Sequence, residues 1–238
     1  MTEHLLEIRK RLMTIIIFFF LAFFISYYFI EQIYNFLLNP LLAAYGEESG
    51  KRIIFTGLTE AFITYIRLAF LTALFFTTPF LLTQFYLFIS PALYKKEKKL
   101  ILFLLFLVPL LFILGSLLLY YVILPAAFKF FIGFEITDNI NNLPIELEAR
   151  ISEYLSLIIK LIFGFGAAFQ IPVFLLILIK TELITINSLK SKRKYWILLI
   201  FIIAAILTPP DIFSQVFLAL PMILLYEITL LIAKKITK

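Results

Sequence analysis

Residues 4–38 read HLLEIRKRLMTIIIFFFLAFFISYYFIEQIYNFLL. The first third carries Glu7, Arg9, Lys10 and Arg11; the rest is almost wholly apolar. A basic stretch before an apolar one can open a secretory signal peptide, whose apolar region is about 7–15 residues long and ends at a small-residue cleavage site. The run from Leu12 to Leu38 is longer and no such site closes it. It is long enough to cross about 30 Å of hydrocarbon, which takes about 20 helical residues. The segment is therefore expected to stay in the chain as a membrane span.

The rest of the chain repeats this pattern. Of 238 residues, 63% are hydrophobic and 15% charged, with a mean hydropathy of +1.06. Soluble domains average about 45–50% apolar and about 25% charged. That excess of apolar surface must face lipid or other buried helices. The expected fold is an all-α membrane protein forming one domain over residues 1–238, with six spans near 12–38, 61–89, 100–124, 154–179, 195–207 and 212–233. The fifth is short. The tip Thr208–Asp211, TPPD, must be a turn, because Pro209 and Pro210 cannot continue a helix. The stretch 146–155, ELEARISEYL, reads as a short amphipathic helix leading into the fourth span.

Basic residues orient the spans. With the N-terminus inside, fifteen of the 21 Lys and Arg residues fall in cytoplasmic segments and four outside; Arg67 and Lys160 lie within spans. Short cytoplasmic loops carry the excess of Lys and Arg, so both termini are expected inside. The net charge of +6 is then a topology signal and gives no reason to expect nucleic acid. There is no Cys and the one His is His4, which excludes disulfides, Cys-ligated metals and paired-His haem. No phosphate-binding loop or nucleophile motif is present, so neither enzyme chemistry, nor a cofactor, nor a metal is expected.

Polar groups in spans are costly and need a partner or a wet cavity. Gln170 lies mid-span in FGFGAAFQIPVF, residues 163–174, two before Pro172. Proline there bends the helix, while Gly164 and Gly166 permit close approach. The Gln170 amide either faces a cavity or joins neighbouring helices. Glu227 in the last span reads as an inner-interface salt bridge rather than an ion path. Glu60 with Arg67, and Glu153 with Lys160, are spaced by seven and share helix faces. Glu97, the one acid among four lysines in SPALYKKEKK (90–99), is either a solvated loop charge or a clasp for a cationic ligand; arginine takes a carboxylate bidentately. With Glu7 it would make a selective cradle on a positive face.

Four stretches in order resemble the TatC family, the multi-spanning subunit of the twin-arginine protein translocase. They are HLLEIRKRL (4–12), FISPALYKKEKK (88–99), FGFGAAFQIPVF (163–174) and LTPPDIFSQVFLALPMILLYE (207–227). The resemblance implies a glove-like, concave six-helix bundle that acts as receptor for signal peptides with paired arginines. With single-span TatA/TatB-like subunits it would move folded proteins across the membrane on the proton-motive force, within a receptor complex that also holds further copies of itself. It implies signal-peptide binding by Glu7, Arg9, Arg11, Phe88, Pro91, Tyr94, Glu97 and Lys99. It implies partner docking or cavity shaping by Gln170, Pro172, Thr208, Pro209, Asp211, Gln215, Pro221 and Glu227. Many family members carry Glu where this chain has Gln170, which cannot titrate, so helix docking is expected there rather than proton relay. The resemblance places the chain in a bacterial inner membrane, or in a mitochondrial inner or thylakoid membrane if organelle-encoded. The competing readings are a small secondary transporter, which should show an internal repeat, and a non-transporting assembly scaffold.

Overall fold

The structure is a computed structural model and describes residues 2–46, 53–92, 94–135, 147–208 and 212–236. It is all-helical among these residues apart from one isolated bridge, and it forms two compact units. Five helical stretches are long and apolar enough to cross a membrane: Leu6–Tyr28, Glu60–Ile89, Ile101–Ile132, Ile151–Lys180 and Gln215–Lys234.

The first unit holds residues 1–39, 50–109 and 148–156. Helix α1 runs Thr2–Tyr28 and α2 Ile30–Tyr45, joined almost without a break, since Phe29 donates to Ile25 and accepts from Ile33. The basic stretch before the apolar run is thus already helical. Helix α3, Glu60–Ile89, packs along α1. Its contact face is narrow, with Ala69, Ala73 and Thr77 all buried at four-residue spacing. Small side chains let two backbones approach closely, and dispersion then replaces the hydrophobic drive that lipid cannot supply. Phe18 stacks on Phe80 at 4.3 Å, and Phe19 meets Phe70 edge-on at 5.2 Å.

At the outer end of this unit the structure departs from the sequence reading. Residues 147–149 are not helical, and the helix begins only at Ile151. The backbone there pairs instead: Ile54 N–H donates to Ala149 O, and Ile151 N–H donates to Ile54 O. Glu60 does not pair along its own helix with Arg67. Its carboxylate, only 8% exposed, accepts from Arg150 Nε at 2.9 Å, from its second terminal nitrogen at 3.0 Å and from the Ser152 hydroxyl. It also accepts the Thr56 and Gly57 N–H groups at 3.0 and 3.1 Å. At the first residue of a helix, unsatisfied N–H donors and the positive helix end favour a carboxylate turned back on its own turn, which Arg67, two turns further in, cannot reach. The carboxylate in turn holds the Arg150 pKa above its ordinary value. Glu153 likewise meets Arg150, at 3.6 Å, rather than Lys160. The Tyr154 hydroxyl donates to Leu37 O at 2.7 Å and ties α2 into the cluster.

The second unit holds residues 40–49, 110–147 and 157–238. Helix α4, Lys95–Leu118, enters it beyond Pro109. A π-helical turn, Leu119–Ile123, follows, with Leu124 N–H reaching back five residues to Leu119 O, and then α5, Leu124–Ile132. Pro125 has no N–H for the regular ladder, and a widened turn beside it accommodates the loss. Helix α6 runs Ile151–Ala168 and α7 Ile171–Lys180, so the fourth span is interrupted at Phe169–Gln170. Pro172 sits in the first turn of α7, where a missing N–H costs nothing. The crossing of α4 and α6 is held by glycines. A Cβ at Gly115 would lie 2.7 Å from Phe165 O, and one at Gly166 would enter the Phe112 ring.

The short helix α8, Ile186–Ser191, is capped by the Thr185 hydroxyl, which accepts Ser188 N–H at 3.2 Å. Helices α9, Arg193–Leu207, and α10, Ile212–Ile236, complete the unit. At 15 residues α9 spans about 22 Å, less than the hydrocarbon thickness, whereas α10 has 25 residues. Buried Leu218, Met222, Tyr226 and Leu230 form one stripe of α10, which packs on α7, α8 and α9.

Candidate functional site

The N-terminal motif and the loop after α3 lie in the same unit. Glu7 and Arg11 are one turn apart on α1. Arg11 donates to Glu7 Oε1 through Nε at 3.0 Å and a terminal nitrogen at 2.7 Å. Its other terminal nitrogen donates to Gln84 Oε1 on α3 at 3.2 Å. The chain from Glu7 through Arg11 to Gln84 thus pins the basic end of α1 to the end of α3 that leads into the loop. Arg9 is not part of it. Two residues from Glu7 is about 200° around a helix, and Arg9 lies exposed on the far side.

The loop begins with half-buried Phe88 and a 3-10 turn at Ser90–Ala92 that displays Pro91. Tyr94 is 79% exposed, and its carbonyl accepts Lys98 N–H at the start of α4. Lys99 is exposed. Glu97 falls in the first turn of α4, and its side chain lies outside the described residues. The surface therefore combines the Glu7 carboxylate, a guanidinium paired with it, an exposed aromatic and flanking lysines. A guanidinium on a ligand would be held by exchange with Arg11 at Glu7, a contact of the charge-assisted, bidentate kind.

The second group of residues lies in the other unit. Gln170 closes α6 and its Nε2 donates to Gly166 O at 3.4 Å, so the amide turns back on its own helix end. Thr208 is buried and donates to Ala204 O at 2.8 Å; its extended backbone ends α9. Gln215 Nε2 donates across the hairpin to Phe201 O at 3.2 Å. Glu227 is salt-bridged to Arg193 at 2.7 Å, at the inner end of the hairpin. Beside it the buried Tyr226 hydroxyl donates to Leu189 O at 2.9 Å, and Trp196 stacks on the Tyr226 ring. Pro172 is buried in the first turn of α7 and Pro221 lies within α10. Pro209 and Asp211 lie outside the described residues. Three partners escaped the sequence reading: Gln84, Arg193 and Arg150. Each is distant in sequence from the residue it satisfies, and no short motif announces it.

Apolar helices of membrane length, broken at a proline and joined by polar contacts near their ends, define a polytopic α-helical protein of the membrane. The family described as Sec-independent protein translocase protein (TatC) matches residues 3–221, and the chain belongs to it. It is 50% identical over 230 residues to the TatC protein of Rickettsia prowazekii, covering 97% of this chain and 90% of that one. It is 42% identical over 235 residues to the uncharacterized tatC-like protein ymf16 of Reclinomonas americana, covering 99% and 87%. A crystal structure of the twin-arginine translocase receptor TatC matches with a TM-score of 0.76 and 36% identity over 99% of this chain and all of that one. The chain is accordingly a multi-pass inner-membrane protein of a protein-translocase family.

Proposed function

We propose that this chain is the receptor for twin-arginine signal peptides, and the core through which a translocase moves folded proteins on the proton-motive force. The observation that carries the reading is the match to solved twin-arginine translocase receptors along 97–99% of the chain. The geometry of the first unit agrees with it. With both termini cytoplasmic, as the distribution of basic residues requires, the edge formed by Glu7, Arg11, Phe88, Pro91, Tyr94, Glu97 and Lys99 faces the compartment where signal peptides arrive. Glu97 and Glu7 supply the carboxylates for the paired arginines, and Phe88 and Tyr94 the apolar contact. Arg9 belongs to the family motif but turns away from this edge.

The second unit serves assembly. Gln170, Pro172, Thr208, Pro209, Asp211, Gln215, Pro221 and Glu227 shape and stiffen a surface for single-span TatA/TatB-like subunits and for further copies of the chain. The short α9 leaves a thin edge of the membrane there, which bilayer deformation must meet.

A photo-crosslinker at Tyr94 or Lys99, offered a signal peptide with two arginines or with two lysines, tests the receptor reading. A crosslink that needs the arginines and disappears on Glu97→Ala is expected. Equal crosslinking of both peptides would overturn it.

A further inference from the structure

The inner end of the second unit gathers cations from two helices around one fixed corner. Helix α8 ends at Ser191 and α9 starts at Arg193. Lys190, Lys192, Arg193 and Lys194 crowd this corner, all exposed. The corner is pinned to α10 at two points: the Tyr226 hydroxyl donates to Leu189 O at 2.9 Å, and Arg193 donates to Glu227 at 2.7 Å. Arg193 and Glu227 neutralise each other. No carboxylate among the described residues pairs with Lys190, Lys192 or Lys194. The side of α9 that continues from them is apolar and uncovered. Tyr195, Leu198 and Leu199 are 60, 58 and 43% exposed, and steps of three and four residues place them on one face with Lys192. The Lys194 ammonium lies 5.2 Å from the Tyr195 ring centroid. Lys192 and Lys194 thus both stand at the aqueous edge of an aromatic ring that borders apolar surface, as tyrosines do at a membrane interface. Retention of basic residues on the inner side accounts for their sign; it does not call for three unpaired lysines on a corner held from two sides.

We propose that this corner binds one anionic phospholipid of the inner leaflet, its phosphate held by Lys192 and Lys194 with Lys190 alongside, its glycerol on the Tyr195 ring and an acyl chain along Leu198 and Leu199. Basic sites between helices on the cytoplasmic side take such headgroups, and each lysine near the surface favours an anionic lipid by about fivefold. Because the corner is already fixed to α10, binding orders little of the backbone, which lowers its cost. With 15 residues, α9 falls short of the hydrocarbon thickness. Inner-leaflet headgroups must therefore move toward its basic start, and a phosphate held there stabilises the deformation.

The test uses the full chain in phosphatidylcholine nanodiscs that contain a minor fraction of a lipid brominated on its acyl chains. Trp196, the one tryptophan of the chain, adjoins Tyr195 and is the fluorophore, so no reporter need be introduced. Brominated phosphatidylglycerol is expected to reach half-quenching at about one-twentieth of the mole fraction that brominated phosphatidylcholine needs, the product of two lysines. Lys192→Gln and Lys194→Gln should each lower that preference about fivefold, Lys190→Gln should lower it less, and Lys192→Arg should keep it. Lys234→Gln controls for net charge: it removes one positive charge from α10 two turns beyond Glu227, away from the corner, and should leave the preference unchanged. Equal quenching by the two lipids, or a loss on Lys234→Gln as large as that on Lys192→Gln, would overturn the inference. So would relief of quenching by millimolar inorganic phosphate, which would mark a site for free anions, or by a soluble oligoglutamate peptide, which would mark a site for an acidic protein segment. No signal peptide enters the assay, so its result stands apart from that of the Tyr94 crosslink.

Discussion

Glu60 and Arg150, ninety residues apart, are joined by two hydrogen bonds of 2.9 and 3.0 Å. The pair fastens the start of α3 to the residue that precedes α6, and the Ile54–Arg150 bridge runs beside it. The same carboxylate holds the Thr56 and Gly57 N–H groups. It therefore acts as helix cap and ion-pair partner at once.

This double role separates two substitutions. Glu60→Ala is expected to lower the thermal transition more than Arg150→Ala, because it also orphans two backbone donors. Exchanging the charges, Glu60→Arg with Arg150→Glu, should not restore stability, since an arginine cannot cap the N–H groups. Thermal unfolding followed by size-exclusion of the detergent-solubilised chain reads the order. Full rescue by the exchange would show that only the ion pair matters.

The α4–α6 crossing predicts unequal glycine substitutions. A Cβ at Gly115 meets the Phe165 carbonyl as well as the Phe169 ring, whereas at Gly166 its three nearest atoms all belong to the Phe112 ring. Gly115→Ala should destabilise by about 1–3 kcal/mol, the range for forced overpacking. Gly166→Ala should cost less, because the ring can turn and alanine is the better helix former by about 1 kcal/mol. Chemical denaturation in mixed micelles distinguishes the two, and a larger loss at Gly166 would contradict the packing described.

Pro172 keeps α6 and α7 apart. Pro172→Ala is expected to let the helix run through Phe169 and Gln170 and to rotate the Gln170 amide away from Gly166 O. Slower amide exchange at residues 169–171, with reduced transport, is the expected pair of results. Unchanged exchange would place the cause of the break elsewhere.

At the inner end of the last hairpin, the visible salt bridge is expected to be the lesser contact. Arg193 and Glu227 are 50% and 37% exposed. A double-mutant cycle on such a pair should give a coupling below about 1 kcal/mol. Tyr226→Phe leaves the Leu189 carbonyl without its buried donor and should cost about 1–3 kcal/mol. A cycle that assigned the larger energy to the salt bridge would reverse this ranking.

Gln84 offers the sharpest check on the recognition edge. It holds Arg11 from α3, so Gln84→Ala should loosen Arg11 and weaken the signal-peptide crosslink at Tyr94 without abolishing it. Gln84→Glu should strengthen the hold on Arg11 and leave Glu7 freer to accept a ligand's guanidinium, which raises the crosslink yield. Indifference of the crosslink to both changes would separate the triad from recognition.

The membrane class, the order of the long helices and the break beside Pro172 were legible in residue order alone; six spans were expected, and five helical stretches are long and apolar enough to cross, α9 being too short. Each depends on local properties: apolar length against bilayer thickness, and a missing N–H at a proline. The inner-end salt bridge of Glu227 was also foreseeable, because the acid lies close to a basic end of its span. The partners were not. Glu60 takes Arg150 rather than Arg67, Arg11 takes Gln84, and Gly115 meets Phe165, because a polar or close-packed atom in a membrane protein is satisfied by whatever the tertiary fold brings within about 3 Å. Helical periodicity places Arg9 opposite Glu7, but only the packing of α1 on α3 decides which of those faces is covered and which stays exposed.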